Sequence, residues 1–475
     1  MIKANERRRP FAARYALALS FLGVFSFCVL ECNGVHSNSP GRAAYPQEIG
    51  RINFAIAGDV IPHGAVVRSA EAAERIEAAP AAAPIGAPGG AASAPVLQAA
   101  ASMNHHGWDA LFAEVADTFR QADYGFVNLE TPIAPNHSLG TKEFMFNAPV
   151  ALLEALKASG IKIVSFANNH VFDQGRAGFN ESLNHLQEDG LLFAGSGATA
   201  DAAWKPVIIQ KNGVRVGWLA MTRWLNGSHN PEKDSEPHVA FFPYPGEAKN
   251  ADGLDEAGVL AAIKAARAEC DFLAVSIHWG IEYSPTPGAE DVEMAHKMLE
   301  AGAGVVIGHH PHVLQRIENY QTADHRKTVI FYSLGNFLSN QSATYTNGVM
   351  PDKEGDPRDA LVAKFSVVKK DYGQAGIQFE MADVGIIPAW GENNRLRVES
   401  GLDKAIFIHP VLIDREIPRI QAHLDELSRP GRDLSPEEKR EFKRLTDQVA
   451  LLKHRRELIL ARTGGENVIS PPPLP

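Results

Sequence analysis

The sequence predicts an α/β protein whose sheet is mainly parallel at its centre and closes antiparallel. Three observations carry this. Short apolar runs recur along the chain and are followed by amphipathic helical patterns, the alternation that βαβ units require. Five of those runs end in acids, asparagines or histidines instead of plain turn residues. Two late runs, Leu361 to Val368 and Ile377 to Val384, have no helical pattern between them, which suits antiparallel neighbours.

The amino terminus stands apart. Arg7, Arg8, Arg9 and Arg14 precede an uncharged apolar stretch from Tyr15 to Leu30 and a polar segment from Glu31 to Pro40. This is the build of a secretory signal, expected over residues 1–37 with Val35-His36-Ser37 as the cleavage site. The apolar span is short beside the about 20 residues of a membrane helix. Export to the periplasm or outer cell surface is expected, with a membrane or lipid anchor as the alternative. Cys32 is placed for lipidation, although Glu31 departs from the small residue such signals prefer. Beyond this region only Cys270 remains, so the body is expected to hold no internal disulfide. A net charge of −10, with its one basic cluster at the terminus, excludes a general nucleic-acid binder.

Arg51 to Ala57 alternates like a strand and runs into Gly58-Asp59. Residues 66–106, dominated by alanine and proline, read as a flexible insertion, briefly helical near Glu71 to Ala79. Trp108 to Ala122 reads as one helix with Trp108, Leu111, Phe112, Val115 and Phe119 on its buried face. Strands are expected at Tyr124 to Leu129, ending beside Glu130, and at Ile161 to Phe166, ending in Asn168-Asn169-His170. Helices are expected at Val150 to Ser159 and Gly178 to Asp189, then a short strand at Leu191 to Ala194. Val207 to Gln210 and Val214 to Ala220 form a hairpin about Asn212-Gly213. The helix Leu254 to Glu269 leads to a strand, Asp271 to Ile277, that ends in His278, and the helix Asp291 to Ala301 leads to Val305-Val306-Ile307. Thr328 to Tyr332 is a further strand. Residues 50–400 make up the main domain, and 410–475 a charged helical extension with helices at Arg415 to Ser428 and Pro436 to Arg462, expected to be solvated or to meet a partner.

The densest chemistry is Gly308-His309-His310-Pro311-His312-Val313. Were this segment extended, His310 and His312 would share one side and His309 the other. Together with Asp59, Glu130, Asn169, His170 and His278, these groups fall on one edge of a mainly parallel sheet. Buried carboxylates and imidazoles are costly without partners, and a pair of divalent cations would supply them. Mixed oxygen and nitrogen donors suit manganese, iron or zinc, and two such ions suit phosphoester hydrolysis.

The ordered series Gly58-Asp59, Asn128-Leu129-Glu130, Asn168-Asn169-His170 through Asp173-Gln174-Gly175, His278-Trp279-Gly280, the triple-histidine motif and Ser333-Leu334-Gly335-Asn336-Phe337 resembles the bacterial CapA-type proteins of poly-gamma-glutamate capsule synthesis. That family is similar to calcineurin-like metallophosphoesterases, which implies a two-sheet sandwich flanked by helices. The resemblance implies that Asp59 and His312 hold one metal, that Asn169, His278 and His310 hold the other, and that Glu130 bridges them. It casts His170 as general acid. Asp173 is expected to brace the loop presenting His170, and His63 and Asn336 to be further ligands or substrate contacts. The phosphoesterases usually carry a histidine two positions after their first aspartate; here Ile61 stands there, and His63 is four away. The expected substrate is an anionic polymer or a phosphoester. The expected partner is membrane-bound capsule machinery, with Lys142, Arg223 or the C-terminal helices as contacts. A non-catalytic role, binding or helping to export an anionic envelope polymer, is the alternative.

Overall fold

The computed structural model describes residues 45–78, 105–142, 144–245, 253–465 and 467–472. The signal expected over 1–37 and most of the expected insertion lie outside these residues.

Chain order sets two sheets side by side. Strands β1 (Gln47–Val60), β2 (Tyr124–Leu129), β3 (Ile161–Ser165) and β4 (Leu192–Ala194) pair in parallel, in that order. A small pair, β5 (Ser196–Gly197) with β8 (His238–Val239), brackets the hairpin β6 (Val207–Lys211) and β7 (Val214–Thr222). The second sheet grows from that hairpin through β9 (Phe272–His278), β10 (Val305–His309), β11 (Ile317–Gln321) and β12 (Lys327–Phe331), in the order β11-β12-β10-β9-β7-β6. The chain then returns to the first sheet. There β13 (Asn336–Leu338) lies parallel to β1, and β14 (Asp359–Asp371), β15 (Ile377–Asn393) and β16 (Ile408–Leu412) extend it antiparallel on the far side.

Period-two alternation explains why the sheets stack. In β10, Val305 and Ile307 join Phe54, Ile56, Phe126 and Trp218 in the core that joins the sheets, whereas Val306 belongs to a second cluster, with residues of the helices Glu256–Ala268 and Ala289–Glu300. The Trp218 ring packs 4.5 Å from Phe126 and 5.5 Å from Phe54. The result is a two-sheet α/β sandwich with helices on its outer faces, the architecture expected from the sequence.

Several expectations need correction. The segment from 64 to 78 is a helix, Gly64–Ala78, with Val66, Ser69, Ala70 and Ala73 buried, so flexible sequence cannot begin at 66. Trp108 to Ala122 is broken into two short helices, Trp108–Phe112 and Ala116–Arg120, although all five anticipated apolar residues are buried. The expectation of solvated C-terminal helices also fails. Ile413–Leu427 and Pro436–Thr463 send Ile420, Leu424, Leu445, Leu452 and Ile459 into the core shared with the sheets. Arg455 is fully buried there, with its Nε 2.8 Å from Asp359 and its Nη2 2.8 Å from Asp356. The other charged residues of Pro436–Thr463 are exposed or half-buried.

Candidate metal centre

Strand register aligns the site before any side chain is considered. Asp59 on β1 lies opposite Asn128 on β2 and Asn336 on β13, and His278 at the end of β9 lies opposite His309 at the end of β10. The carboxyl ends of both sheets thus meet at one seam. Close approach there depends on two glycines. A Cβ on Gly58 would sit 1.9 Å from the Gly335 carbonyl oxygen, and one on Gly308 would sit 2.0 Å from that of Tyr332. Gly58 lies within β1, an in-strand gap that lets the backbone before β13 reach Asp59.

Asp59 is fully buried and accepts three hydrogen bonds. Its Oδ1 accepts from Asn128 Nδ2 at 2.9 Å and from His309 Nδ1 at 3.0 Å, and its Oδ2 accepts from the His310 backbone N–H at 3.3 Å. Burial alone would raise its pKa, but the interactions with His309 and His312 hold it well below the usual carboxylate range. Glu130 is its opposite. Burial, then the charges of Asp59, Glu282 and Asp173, push its pKa well above the ordinary value. Its Oε1 is buried without a hydrogen-bond partner, yet faces His170 Nε2 at 3.8 Å, His278 Nε2 at 3.8 Å and His312 Nε2 at 3.9 Å. These gaps are too long for hydrogen bonds. Two donors each about 2.1 Å from a shared ion lie roughly 3–4 Å apart, which is what these atoms show.

The remaining donors surround this point. His278 Nε2 lies 2.8 Å from Asn169 Oδ1 and 3.1 Å from His310 Nδ1. Burial, then the neighbouring His310, lowers the His278 pKa well below the histidine norm, and burial with His312 brings His310 down to about 3. Both are therefore neutral imidazoles at neutral pH, the form that ligates metals. Within each of two groups the ligand atoms lie within 4.8 Å of one another: Asp59, Glu130 and His278, all buried, and the buried His310 and His312 with the exposed Glu282. The residues present fit divalent cations.

Supporting contacts orient these groups. His170 Nδ1 lies 2.8 Å from Asp173 Oδ2, which also accepts the Phe146 N–H at 2.6 Å. His312 Nδ1 lies 3.0 Å from Asn336 Oδ1, which leaves its Nε2 facing Glu130. Asn336 is buried behind that imidazole and donates to Gln341 and Pro357, so it positions His312 and does not line the cavity. His63 stands outside both donor groups, its ring 4.9 Å from Phe146 and its Nδ1 accepting from the Asn340 N–H. Burial lowers its pKa to about 4. Arg223 is no surface contact: it is buried, 3.6 Å over the Tyr244 ring, and paired with Glu290.

His309 was expected to point away and does not. The strand ends at His309, and His310 and His312 adopt φ of 95° and 60°, so the period-two rule lapses exactly where it was applied to them. Asn128 was legible in principle, two residues before Glu130 on one strand face. Glu282, four residues past His278 on a loop, carried no periodic signal. Above the donors lies a cavity of about 270 Å³ lined by Phe144, Phe146, His170, Glu282, Tyr283 and His312, among others, with no lysine or arginine in its wall among the described residues.

The chain matches the family described as Bacterial capsule synthesis protein PGA_cap over residues 53–341. It is 31% identical over 283 residues to the PGA biosynthesis protein CapA of Bacillus subtilis (strain 168), covering 59% of this chain and 66% of that one. It is 30% identical over 250 residues to the capsule biosynthesis protein CapA of Bacillus anthracis, covering 51% and 57%. A probable polyglutamine synthesis accessory protein of Mycobacterium tuberculosis (strain ATCC 25618 / H37Rv) is 28% identical over 246 residues, 49% of this chain and 59% of that one. The matches span less than two thirds of these relatives' own lengths. Among solved structures, the NAD nucleotidase of Haemophilus influenzae has a TM-score of 0.37 at 12% identity, covering 86% of this chain and 61% of that one, a likeness too loose to bear on chemistry.

Proposed function

Given that the chain belongs to the bacterial capsule synthesis protein family, we propose that it is an exported, metal-dependent hydrolase of the phosphoesterase type, acting on an anionic envelope polymer or a phosphoester precursor of one. The observation that carries this reading is the unpartnered Glu130 Oε1 set among three imidazole nitrogens at 3.8–3.9 Å. When bound at such a seam, two divalent ions of manganese, iron or zinc supply Lewis-acid charge and acidify water. The donors named above would hold them.

The chain's own residues account for the rest. His170 lines the cavity, and Asp173 holds its Nδ1. Its Nε2 is thereby the atom turned toward the donors, able to keep a proton and deliver it to a departing oxygen. Phe144, Phe146 and Tyr283 wall the cavity with rings, which limits water around the reacting bond. With no basic side chain in that wall among the described residues, metal charge and hydrogen bonds are what would hold an anionic substrate there. A membrane-bound capsule-synthesis assembly is the partner this reading implies.

The test is elemental analysis of the purified protein together with a panel of phosphomonoesters, phosphodiesters and gamma-glutamyl amides. Metal-loaded protein is expected to hydrolyse at least one class, and His170→Ala to lower that rate about 10²–10⁴-fold while retaining metal. Metal-loaded protein inert to the whole panel would leave the accessory role, gripping carboxylates through the same ions, as the better account.

A further inference from the structure

The loop after β9, residues 279–288, is fixed more firmly than its exposure warrants. Trp224 Nε1 donates to the Gly280 carbonyl at 3.0 Å, and the Gly280 N–H donates to the Tyr244 hydroxyl at 2.7 Å. The Tyr283 N–H donates to the Pro311 carbonyl at 2.7 Å, and Gln315 Nε2 to that of Ser284 at 2.9 Å. Tyr283 is held at φ 62°, a conformation that a bulky residue adopts only when its surroundings impose it. What this clamp places over the histidine motif is Glu282, an exposed carboxylate whose ligand atom lies within 4.8 Å of those of His310 and His312. Among the described residues no lysine or arginine pairs with it, and its charge adds to those that raise the Glu130 pKa. The charges of Asp59, Glu282 and Asp173 all act on the buried Glu130 carboxyl, and among the described residues no lysine or arginine lines the cavity to which Glu282 belongs.

We propose that Glu282 is a metal ligand, joining His310 and His312 to form an outer, exchangeable cation site beside the inner donors Asp59, Glu130 and His278, in place of the division the resemblance implies, which sets His312 with Asp59 and His310 with His278. This rests on the metal reading above and deepens it. The inner donors are all buried, whereas the outer set includes a carboxylate open to solvent, so the two ions would differ in access and in rate of loss. A carboxylate on a clamped loop reaches a cation without the loop having to close.

The experiment loads the full chain with Mn²⁺, passes it over a desalting column, and measures manganese per chain with the electron paramagnetic resonance spectrum. Wild-type protein is expected to keep two ions with a spin-coupled signal. Glu282→Gln is expected to keep one, with the signal of an isolated ion and an unchanged circular dichroism melt in the metal-free state. Glu293→Gln, an exposed neighbour outside the donor set, should keep two. Two coupled ions in Glu282→Gln would overturn the proposal, and loss of both would overturn the division into inner and outer sites. A wild-type protein that binds no metal would instead sink the underlying metal reading, and this inference with it.

Discussion

Asp173 spends one carboxylate oxygen on two donors, the His170 ring and the Phe146 backbone N–H. It thereby ties the orientation of the imidazole to the aromatic wall of the cavity, whose Phe146 ring lies 4.4 Å from that of His170. Replacing it with asparagine keeps the shape and one acceptor but removes the charge that fixes the ring's tautomer. Asp173→Asn is expected to lower kcat about 10–100-fold on the best substrate, with KM and metal content unchanged. A purely structural role would instead lower the thermal midpoint and leave the kcat of the folded fraction intact. Gly308 shows the same local exactness by a different route, since a single methyl group there would press on the Tyr332 carbonyl and displace the histidine loop.

At the scale of elements, the segment between β2 and the helix Ala151–Ala158 matters most, because it carries Phe144 and Phe146 to the cavity. Glu181, on the helix Gly175–Asp189, pins its middle by accepting from the backbone N–H groups of Asn136 and His137 at 2.9 Å and from both their side chains at 2.8 Å. Burial opposes ionisation of Glu181, but these bonds prevail and bring its pKa down to about 2. A pKa lower in the folded than in the unfolded state stabilises the fold above the unfolded value, and that stabilisation is lost as the pH falls toward 2. Glu181→Gln is therefore expected to lose about 2–3 kcal/mol at neutral pH, with the deficit shrinking between about pH 4.5 and 2. Urea titrations across that range would show it; a constant deficit would place the effect elsewhere. Strands β2, β3, β7, β9 and β10 were legible because apolar alternation is a local signal. Strands β11, β13 and β16 were not: β13 has three residues, β16 contains Pro410, and β11 is polar and half-exposed on a sheet edge. Their pairing is decided by neighbours distant in sequence. The donors at strand ends could be read from strand position alone, whereas the directions of His310 and His312 and the place of Glu282 depend on backbone turns that no periodicity encodes.

For the molecule as a whole, the site is the place where two sheets meet. Asp59 and Asn128 belong to one sheet, His278 and His309 to the other, and they are joined by hydrogen bonds and by the approach of Gly58 and Gly308 to facing backbone. Carboxylates gathered there with no lysine or arginine paired to them among the described residues repel one another unless positive charge lies between them, so cations bound at the seam would cross-link the sandwich as well as act on substrate. Ligands that bind only the folded state stabilise it by RT ln(1 + [L]/Kd), about 2.7 kcal/mol for an ion at 100 times its Kd. Exhaustive chelation is accordingly expected to lower the thermal midpoint by on the order of 5 °C, with recovery on adding Mn²⁺ or Zn²⁺ in excess. Asp59→Asn should show a smaller difference in midpoint with and without chelator than the wild type, because it removes the donor on which the inner set depends. A wild-type midpoint indifferent to both chelator and metal would mean that the sheets close without cations, and that the acids and imidazoles of the seam satisfy one another through the hydrogen bonds already seen among them.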